Sequence, residues 1–112
     1  MKIGIDVGGT KCLGVAIDDS GKVVQQFRLP TPHADELCNT LVEIVAQLGE
    51  AESLGIGVPG LISPEGVIRA SPNLVGAKEL PLRQMLEEQK VRRSQHVMSL
   101  FDVSNTFLID ES

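Results

Sequence analysis

A short run near the N-terminus brings together side chains that can bind phosphate. From Asp6 to Lys11 the chain supplies a carboxylate, two glycines, a hydroxyl and an ammonium group. Gly8 and Gly9 permit positive φ and let backbone N–H groups approach phosphate oxygens. Thr10 can donate its hydroxyl, and Lys11 can offset the charge of a transferring group. Asp6 suits a hydrated Mg²⁺, because this hard cation prefers carboxylate and water oxygens. The run therefore indicates phosphoryl-transfer chemistry.

The same run also fits a plain β-hairpin with Gly-Gly at its turn, and this alternative remains open on spacing alone. The run lacks the Gly-x-x-x-x-Gly-Lys-Ser/Thr pattern of P-loops and the Gly-x-Gly-x-x-Gly of dinucleotide-binding folds. Any phosphate chemistry must therefore use a hairpin cradle.

Alternating apolar residues place this run between strands. Residues 2–7, 12–17 and 22–29 read as strands separated by glycine-containing turns, with prolines after the third. The pattern predicts a three-stranded antiparallel meander over residues 1–29.

A helix and a fourth strand follow the meander. Thr31 and Pro32 can cap and start a helix that runs from about 34 to 48. Residues 54–58 read as a buried strand, so a strand after a helix implies a parallel crossover and a mixed α/β fold. The apolar stripe expected to face the core comprises Leu37, Leu41, Ile44, Val45 and Leu48.

The remaining chain carries weaker signals. Residues 64–66 look like the turn of a small hairpin, and residues 81–89 suggest a short helix. After residue 89 basic residues cluster, and apolar residues near the C-terminus show no clear periodicity.

Composition limits the partners that we expect. The net charge of −5 over 112 residues disfavours nucleic acid and anionic lipid surfaces. We see neither a membrane-spanning run nor a signal-peptide pattern, so we expect a cytoplasmic protein. Cys12 and Cys38 match no paired metal-binding spacing, which favours reduced, buried thiols.

At this point the sequence resembles the ROK sugar kinases, which lie within the actin, Hsp70 and hexokinase-like superfamily. The resemblance covers residues 1–89, carried by residues 4–11, 55–62, 71–74 and 81–83. It implies an α/β fold, namely a ribonuclease H-like N-terminal lobe with a mixed sheet, here incomplete. Residues 90–112 form an unmatched tail that packs on this domain or extends it.

The resemblance also assigns expected roles at the site. It implies that the glycine hairpin lies near the β- and γ-phosphates of ATP, with Asp6 holding Mg²⁺ through water. It implies that Gly60 and Asn73 face the sugar. The aspartate base of the family has no clear match, and Asp102 is the nearest stand-in. The zinc-binding cluster of the family has no counterpart here.

The expected function is therefore that of a truncated N-terminal lobe of an ATP-dependent hexose kinase, without turnover by itself. An alternative is a non-catalytic module that binds sugar or phosphate weakly, or forms a homo-oligomer through the surface that a second lobe would cover. A transcriptional regulator of the family is not expected, because no helix-turn-helix precedes the hairpin and the chain is acidic.

Overall fold

The structure is a computed structural model that describes residues 1–49, 52–58, 60–71, 74–92 and 106–110. It contains strands and helices in the mixed order expected of an α/β fold. In chain order the elements are β1 (Lys2–Val7), β2 (Lys11–Ile17), β3 (Val23–Pro30), a 3-10 helix (Ala34–Glu36), α1 (Leu37–Leu48), β4 (Ser53–Val58), β5 (Leu61–Ile62), β6 (Ile68–Ala70), β7 (Lys78–Leu80), α2 (Leu82–Arg92) and β8 (Thr106–Asp110).

The main sheet has five strands in the order β3-β2-β1-β4-β8. The β1–β2 and β2–β3 pairs are antiparallel, which confirms the predicted meander. β4 pairs parallel with β1, and β8 pairs parallel with β4, so the sheet is mixed. β3 includes Pro30, which an edge strand tolerates because its outer N–H groups need no ladder partner.

One face of this sheet is covered by α1 and forms the core. Alternate residues of each inner strand point toward the helix and are buried, as the period of two requires. The helical stripe predicted from the sequence is buried in full. The buried residues are Ile3, Ile5, Val7, Cys12, Ala16, Leu54, Ile56 and Val58 on the strands, and Leu37, Leu41, Ile44, Val45 and Leu48 on α1.

Gly14 allows α1 to lie close against β2. A Cβ added at this position would meet Cγ2 of Ile44 at 2.3 Å and Cδ1 of Leu48 at 3.0 Å. The Ile44 side chain is β-branched and has little rotameric freedom in a helix, so it cannot easily move aside. The depth of the helix–sheet contact therefore depends on the absence of a side chain at residue 14.

A smaller antiparallel sheet, ordered β5-β6-β7, follows the main sheet along the chain. The predicted turn at 64–66 connects β5 to β6, and Gly66 there has φ +83°. The helix predicted at 81–89 is present as α2, which continues to Arg92. Leu82 and Leu86 are buried in the common core.

The structure corrects the expected start of the helical region and adds a strand near the C-terminus. The helical region begins after His33, whose ring accepts a hydrogen bond from the Asp35 amide, and not at Thr31 and Pro32. Thr31 hydrogen-bonds elsewhere, so it is unavailable as a cap. The apolar residues near the C-terminus, which showed no clear periodicity, form β8 beside β4. These residues enter the sheet by pairing with β4, which is distant in sequence and therefore leaves no local pattern to read.

We predict that Gly14→Ala lowers the free energy of unfolding by about 1–3 kcal/mol, because the added methyl overpacks the contact with α1. Gly4→Ala is the matched control, since a Cβ there would meet Cγ2 of Val15 at an ordinary 3.8 Å. Chemical denaturation of both variants measures the difference. Equal stability of the two variants would contradict the close-packing role of Gly14.

Candidate functional site

The candidate site lies where the parallel strands β1 and β4 end. Their register places Asp6 opposite Gly57, so the two strands finish side by side. The glycine hairpin follows β1, and the turn containing Gly60 follows β4. Ligands of open α/β sheets bind outside the carboxyl ends of parallel strands, which is the edge that these turns share. The structure thus brings the predicted phosphate and sugar segments to one edge.

The hairpin is a tight turn between β1 and β2. The Gly8 amide donates to the Lys11 carbonyl at 2.9 Å. Neither Gly8 nor Gly9 is among the glycines with positive φ in the described chain. The expectation that the turn uses these glycines for positive φ is therefore wrong. The requirement at Gly8 is steric, because a Cβ there would lie 3.0 Å from the Lys11 carbonyl oxygen.

The side chains expected to contact phosphate are exposed. Asp6, Thr10 and Lys11 all face solvent. None of the three side chains makes a hydrogen bond or ion pair with another residue in the described ranges. A carboxylate, a hydroxyl and an ammonium group are therefore free to engage a ligand at the mouth of the hairpin.

Thr31 holds the hairpin from behind. Its hydroxyl donates to the Gly8 carbonyl at 2.7 Å, and its amide donates to the Thr10 carbonyl at 3.0 Å. One residue thus fixes both arms of the turn and directs these two carbonyls toward itself. Sequence reasoning missed this role. The sequence signal for this role was the position of Thr31 directly after Pro30. Pro30 ends β3 and pairs with Lys11 at the start of β2.

Cys12 completes this support beneath the hairpin. Its Sγ lies 3.6 Å from the Thr31 hydroxyl oxygen. Burial raises the pKa of the Cys12 thiol and outweighs the hydrogen bond with Thr31, which lowers it, while the nearby Asp6 carboxylate raises it slightly further. The thiol therefore stays protonated near neutral pH and can donate to Thr31, whose own hydroxyl proton is used at Gly8. Cys12 and Cys38 are both buried, as predicted.

Gly60 allows two chain segments to approach each other on the expected sugar side. A Cβ at Gly60 would lie 2.2 Å from the Ala70 carbonyl oxygen and 3.0 Å from Cβ of Ser71. This close approach holds the turn after β4 against the end of β6. Asn73, the other residue expected to face the sugar, lies outside the described residues.

The segment that follows Asn73 is attached to the start of the helical region. The Ala34 amide donates to the Val75 carbonyl at 2.9 Å. Gly76, at φ +84°, lies against the His33 ring, where a Cβ would come within 2.3 Å of a ring carbon. Leu74 is buried and anchors the segment in the core. The expected sugar-facing loop is therefore bounded on one side by a fixed backbone.

Two aspartates, Asp102 and Asp110, are candidates for the catalytic base. Asp102 lies outside the described residues. Asp110, which sequence reasoning passed over, ends β8 at the position opposite Val58 of β4. Its backbone thus lies at the same sheet edge as the hairpin and Gly60. The missed signal was an aspartate directly after an apolar run, the arrangement that the family resemblance associates with its base.

The described residues offer one plausible metal ligand. No group of three His, Cys, Asp or Glu side chains converges within the described ranges. A solitary carboxylate such as Asp6 still fits Mg²⁺, which keeps several waters and uses one or two carboxylates with substrate phosphates. In the same ranges, no helix is long and apolar enough to cross a membrane.

Comparison with known sequences agrees with this arrangement. A model of the ROK family matches residues 2–97, beyond the limit of 89 drawn from the motifs. An N-acetyl-D-glucosamine kinase from Pectobacterium carotovorum is 36% identical to the chain. That alignment includes 100% of this chain and 38% of the kinase, so the chain spans little over a third of the length of the relative.

Solved structures confirm the fold. The ROK hexokinase from Thermus thermophilus is 28% identical with a TM-score of 0.75, over 96% of this chain and 34% of that protein. A ROK family glucokinase from Streptomyces griseus, in complex with glucose and AMPPNP, is 22% identical with a TM-score of 0.72, over 99% of this chain and 32% of its own. The predicted actin and hexokinase-like lobe with an incomplete mixed sheet is therefore correct.

We predict that Thr31→Val opens the hairpin locally, because the Gly8 carbonyl loses its hydroxyl donor. The amide protons of residues 8 and 31 should exchange with solvent roughly tenfold faster, while those of Ile5 and Ile56 change little. Thr31→Ser keeps the hydroxyl and should restore protection. Native-state hydrogen exchange measures all of these amides. Unchanged protection in Thr31→Val, or an equal loss of protection in both variants, would contradict a role specific to the hydroxyl.

Proposed function

The chain belongs to the ROK family, and we propose that it is the phosphate-contacting lobe of an ATP-dependent hexose kinase of that family. The observation that carries this proposal is the hairpin between β1 and β2. Its exposed groups have no partner among the described residues, and its backbone is held by Thr31. A hairpin fixed in this way presents the same groups to each incoming phosphate, which is what phosphoryl transfer requires.

Each group of the hairpin has a role in this proposal. The turn around Gly8 and Gly9 lets the β- and γ-phosphates approach the backbone closely. The Thr10 hydroxyl donates to a phosphate oxygen, and Lys11 offsets the charge of the transferring group. Asp6 orients a hydrated Mg²⁺. When bound, that ion would neutralise phosphate charge.

The acceptor sugar occupies the neighbouring turns. We place it against Gly60 and Asn73, on the segment that Leu74 anchors. Relatives of the chain include N-acetyl-D-glucosamine kinases, and a glucokinase shares its fold, which makes N-acetyl-D-glucosamine and glucose the first candidates. Residues 75–77 are Val, Gly and Ala and carry no aromatic side chain, so we infer that this side of the sugar pocket has room for an N-acetyl group.

The sugar hydroxyl needs a carboxylate to accept its proton. Asp102 was the candidate by sequence, and Asp110 is the candidate by its place in the sheet. β8 follows α2 and pairs parallel with β4, so it ends at the edge where the other two turns meet. We therefore favour Asp110 over Asp102.

This lobe contacts only one side of the reacting phosphate. The hairpin supplies a few donors to the phosphates, and a nucleotide also needs contacts that position its base and ribose. Positioning of both substrates supplies a large part of the rate of phosphoryl transfer. We propose that the 112-residue chain by itself binds phosphate weakly and does not turn over.

A second candidate is a non-catalytic module that associates with a second copy of itself. The sheet face opposite α1 favours it. Leu13 and Val15 are half-exposed there, and they border an open cavity of about 330 Å³ whose other lining residues include Gly4, Gly55 and Gly57. Sedimentation as a dimer at micromolar concentration, together with no response to phosphate, would select this candidate over the first.

We predict that phosphate binding depends on Lys11. In a titration with Mg²⁺ and AMPPNP, the backbone amide signals of residues 8–11 should shift. Lys11→Gln should weaken binding by about 10- to 100-fold, since a charge-assisted hydrogen bond contributes roughly 1.5–3 kcal/mol. Lys22→Gln is the control, because Lys22 is exposed in the turn at the other end of β2. Equal affinities of the two variants would argue against the hairpin as the phosphate site.

We further predict that the purified chain does not phosphorylate N-acetyl-D-glucosamine, glucose or other hexoses above background. Loss of positioning for even one substrate removes several powers of ten in rate. A coupled assay with ATP, Mg²⁺ and a panel of hexoses is the measurement. Turnover that disappears in Asp110→Asn or Asp102→Asn would contradict the prediction and identify the base.

A further inference from the structure

A second cavity lies beside the hairpin, on the outer side of β2. It has a volume of about 410 Å³ and opens to solvent next to the turn. Its lining combines one hydroxyl, two cationic side chains and a short apolar wall, without a carboxylate. The lining residues are Thr10, Lys11, Arg28, Leu29 and Pro30.

The strand register explains why the two cations share this cavity. Lys11 pairs with Pro30, and Leu13 pairs with Arg28. Lys11 and Arg28 therefore occupy diagonal positions on the same face of the sheet, about 7–8 Å apart at their Cα atoms. Side chains of this length can reach a common ligand from that distance.

The two cations are not balanced by the rest of the described chain. Its ion pairs include Met1 with Glu52 and Arg69 with Glu79. Neither Lys11 nor Arg28 makes a hydrogen bond or ion pair with a residue in the described ranges. In a chain with fifteen acidic residues and a net charge of −5, two unpaired cations at one cavity indicate an anionic ligand.

Asp6 does not account for Arg28. Both lie in one row across the sheet, with Leu13 between them. Neighbouring strands are about 4.8 Å apart, so the Cα atoms of the two residues are separated by roughly 10 Å. No ion pair joins their side chains in the part of the chain that the structure describes. Asp6 and Arg28 thus stand on opposite sides of β2, each free for a ligand.

We propose that Arg28 is a second cationic residue of the phosphate site, and that this cavity takes phosphoryl groups of a phosphate chain beyond those held at the glycine turn. The inference rests on the proposed function, because it extends the same hairpin site. The planar guanidinium of Arg28 matches two oxygens of one phosphoryl group, and Lys11 bridges that group to the turn. The ligand chemistry is a linear polyphosphate, either inorganic or part of a nucleoside triphosphate.

A simpler role for Arg28 is protection of an exposed edge. β3 is an edge strand, and charged side chains on such strands discourage pairing with other molecules. That role requires no ligand and no contact between Arg28 and the hairpin. It predicts that any other exposed arginine of the chain behaves in the same way toward phosphate.

Titration with inorganic tripolyphosphate and, separately, with AMPPNP distinguishes the two roles. The variants are Arg28→Gln and Arg28→Lys, with Arg69→Gln as the control, since Arg69 is exposed in the smaller sheet and its loss changes the net charge equally. We expect Arg28→Gln to weaken binding at least about tenfold. The affinity of Arg28→Lys should lie between those of Arg28→Gln and the wild type. Arg69→Gln should bind with the affinity of the wild type. Equal weakening for both ligands identifies the triphosphate chain as the recognised group, and weakening for tripolyphosphate alone identifies an inorganic polymer.

The amide signals of residues 8–11 separate the possible failures. If these signals shift with ligand but Arg28→Gln and Arg69→Gln bind equally, the role of Arg28 is wrong and the hairpin remains the phosphate site. If the signals do not shift with either ligand, the hairpin does not bind phosphate, and the inference falls with the proposed function. An unchanged amide spectrum of the free Arg28→Gln variant verifies that it folds.

Discussion

The parallel pairing of β1 with β4 is the constraint on which the rest of the molecule depends. It joins strands that are separated in sequence by two further strands and a helix, so the chain must cross over the sheet before the pair can form. Coverage of one sheet face by α1 makes that crossover favourable, because the inward side chains of both strands are buried together. The two turns at the ends of these strands then lie side by side.

The two faces of the main sheet differ in a way that bears on function. The face toward α1 is filled by branched apolar side chains and closed by the approach of the helix at Gly14. The opposite face carries glycines on β1 and β4, exposed charges near the hairpin and half-exposed apolar residues on β2. A rigid, buried side thus supports an open side that retains unpaired charges. This division is what a binding site on a small lobe needs, because its charges are held in place without being neutralised.

Relatives that share this fold act on sugars, yet the fold alone does not establish an activity for this chain. The hairpin resembles a phosphate site in composition, in position at the sheet edge and in the support given by Thr31. The sugar side rests on Gly60 and on a neighbouring segment of which only part is described. Contacts within the hairpin therefore support phosphate binding, whereas the identity of the sugar is indicated by the relatives.

The sequence by itself determined the strands, the main helix and the phosphate hairpin, because these depend on local signals. Alternation in the first strands and the helical stripe ending at Leu48 are consequences of backbone periodicity. The roles of Thr31, Arg28 and Asp110 do not follow from backbone periodicity. Thr31 reads locally as a helix cap, but the register of β3 with β2 places it behind the hairpin, where it meets Gly8. Arg28 joins Lys11, and Asp110 reaches the sheet edge, only after strands distant in sequence pair. Tertiary structure decided these roles, since which residues meet across a sheet depends on strand order and register, and both depend on contacts that no local pattern contains.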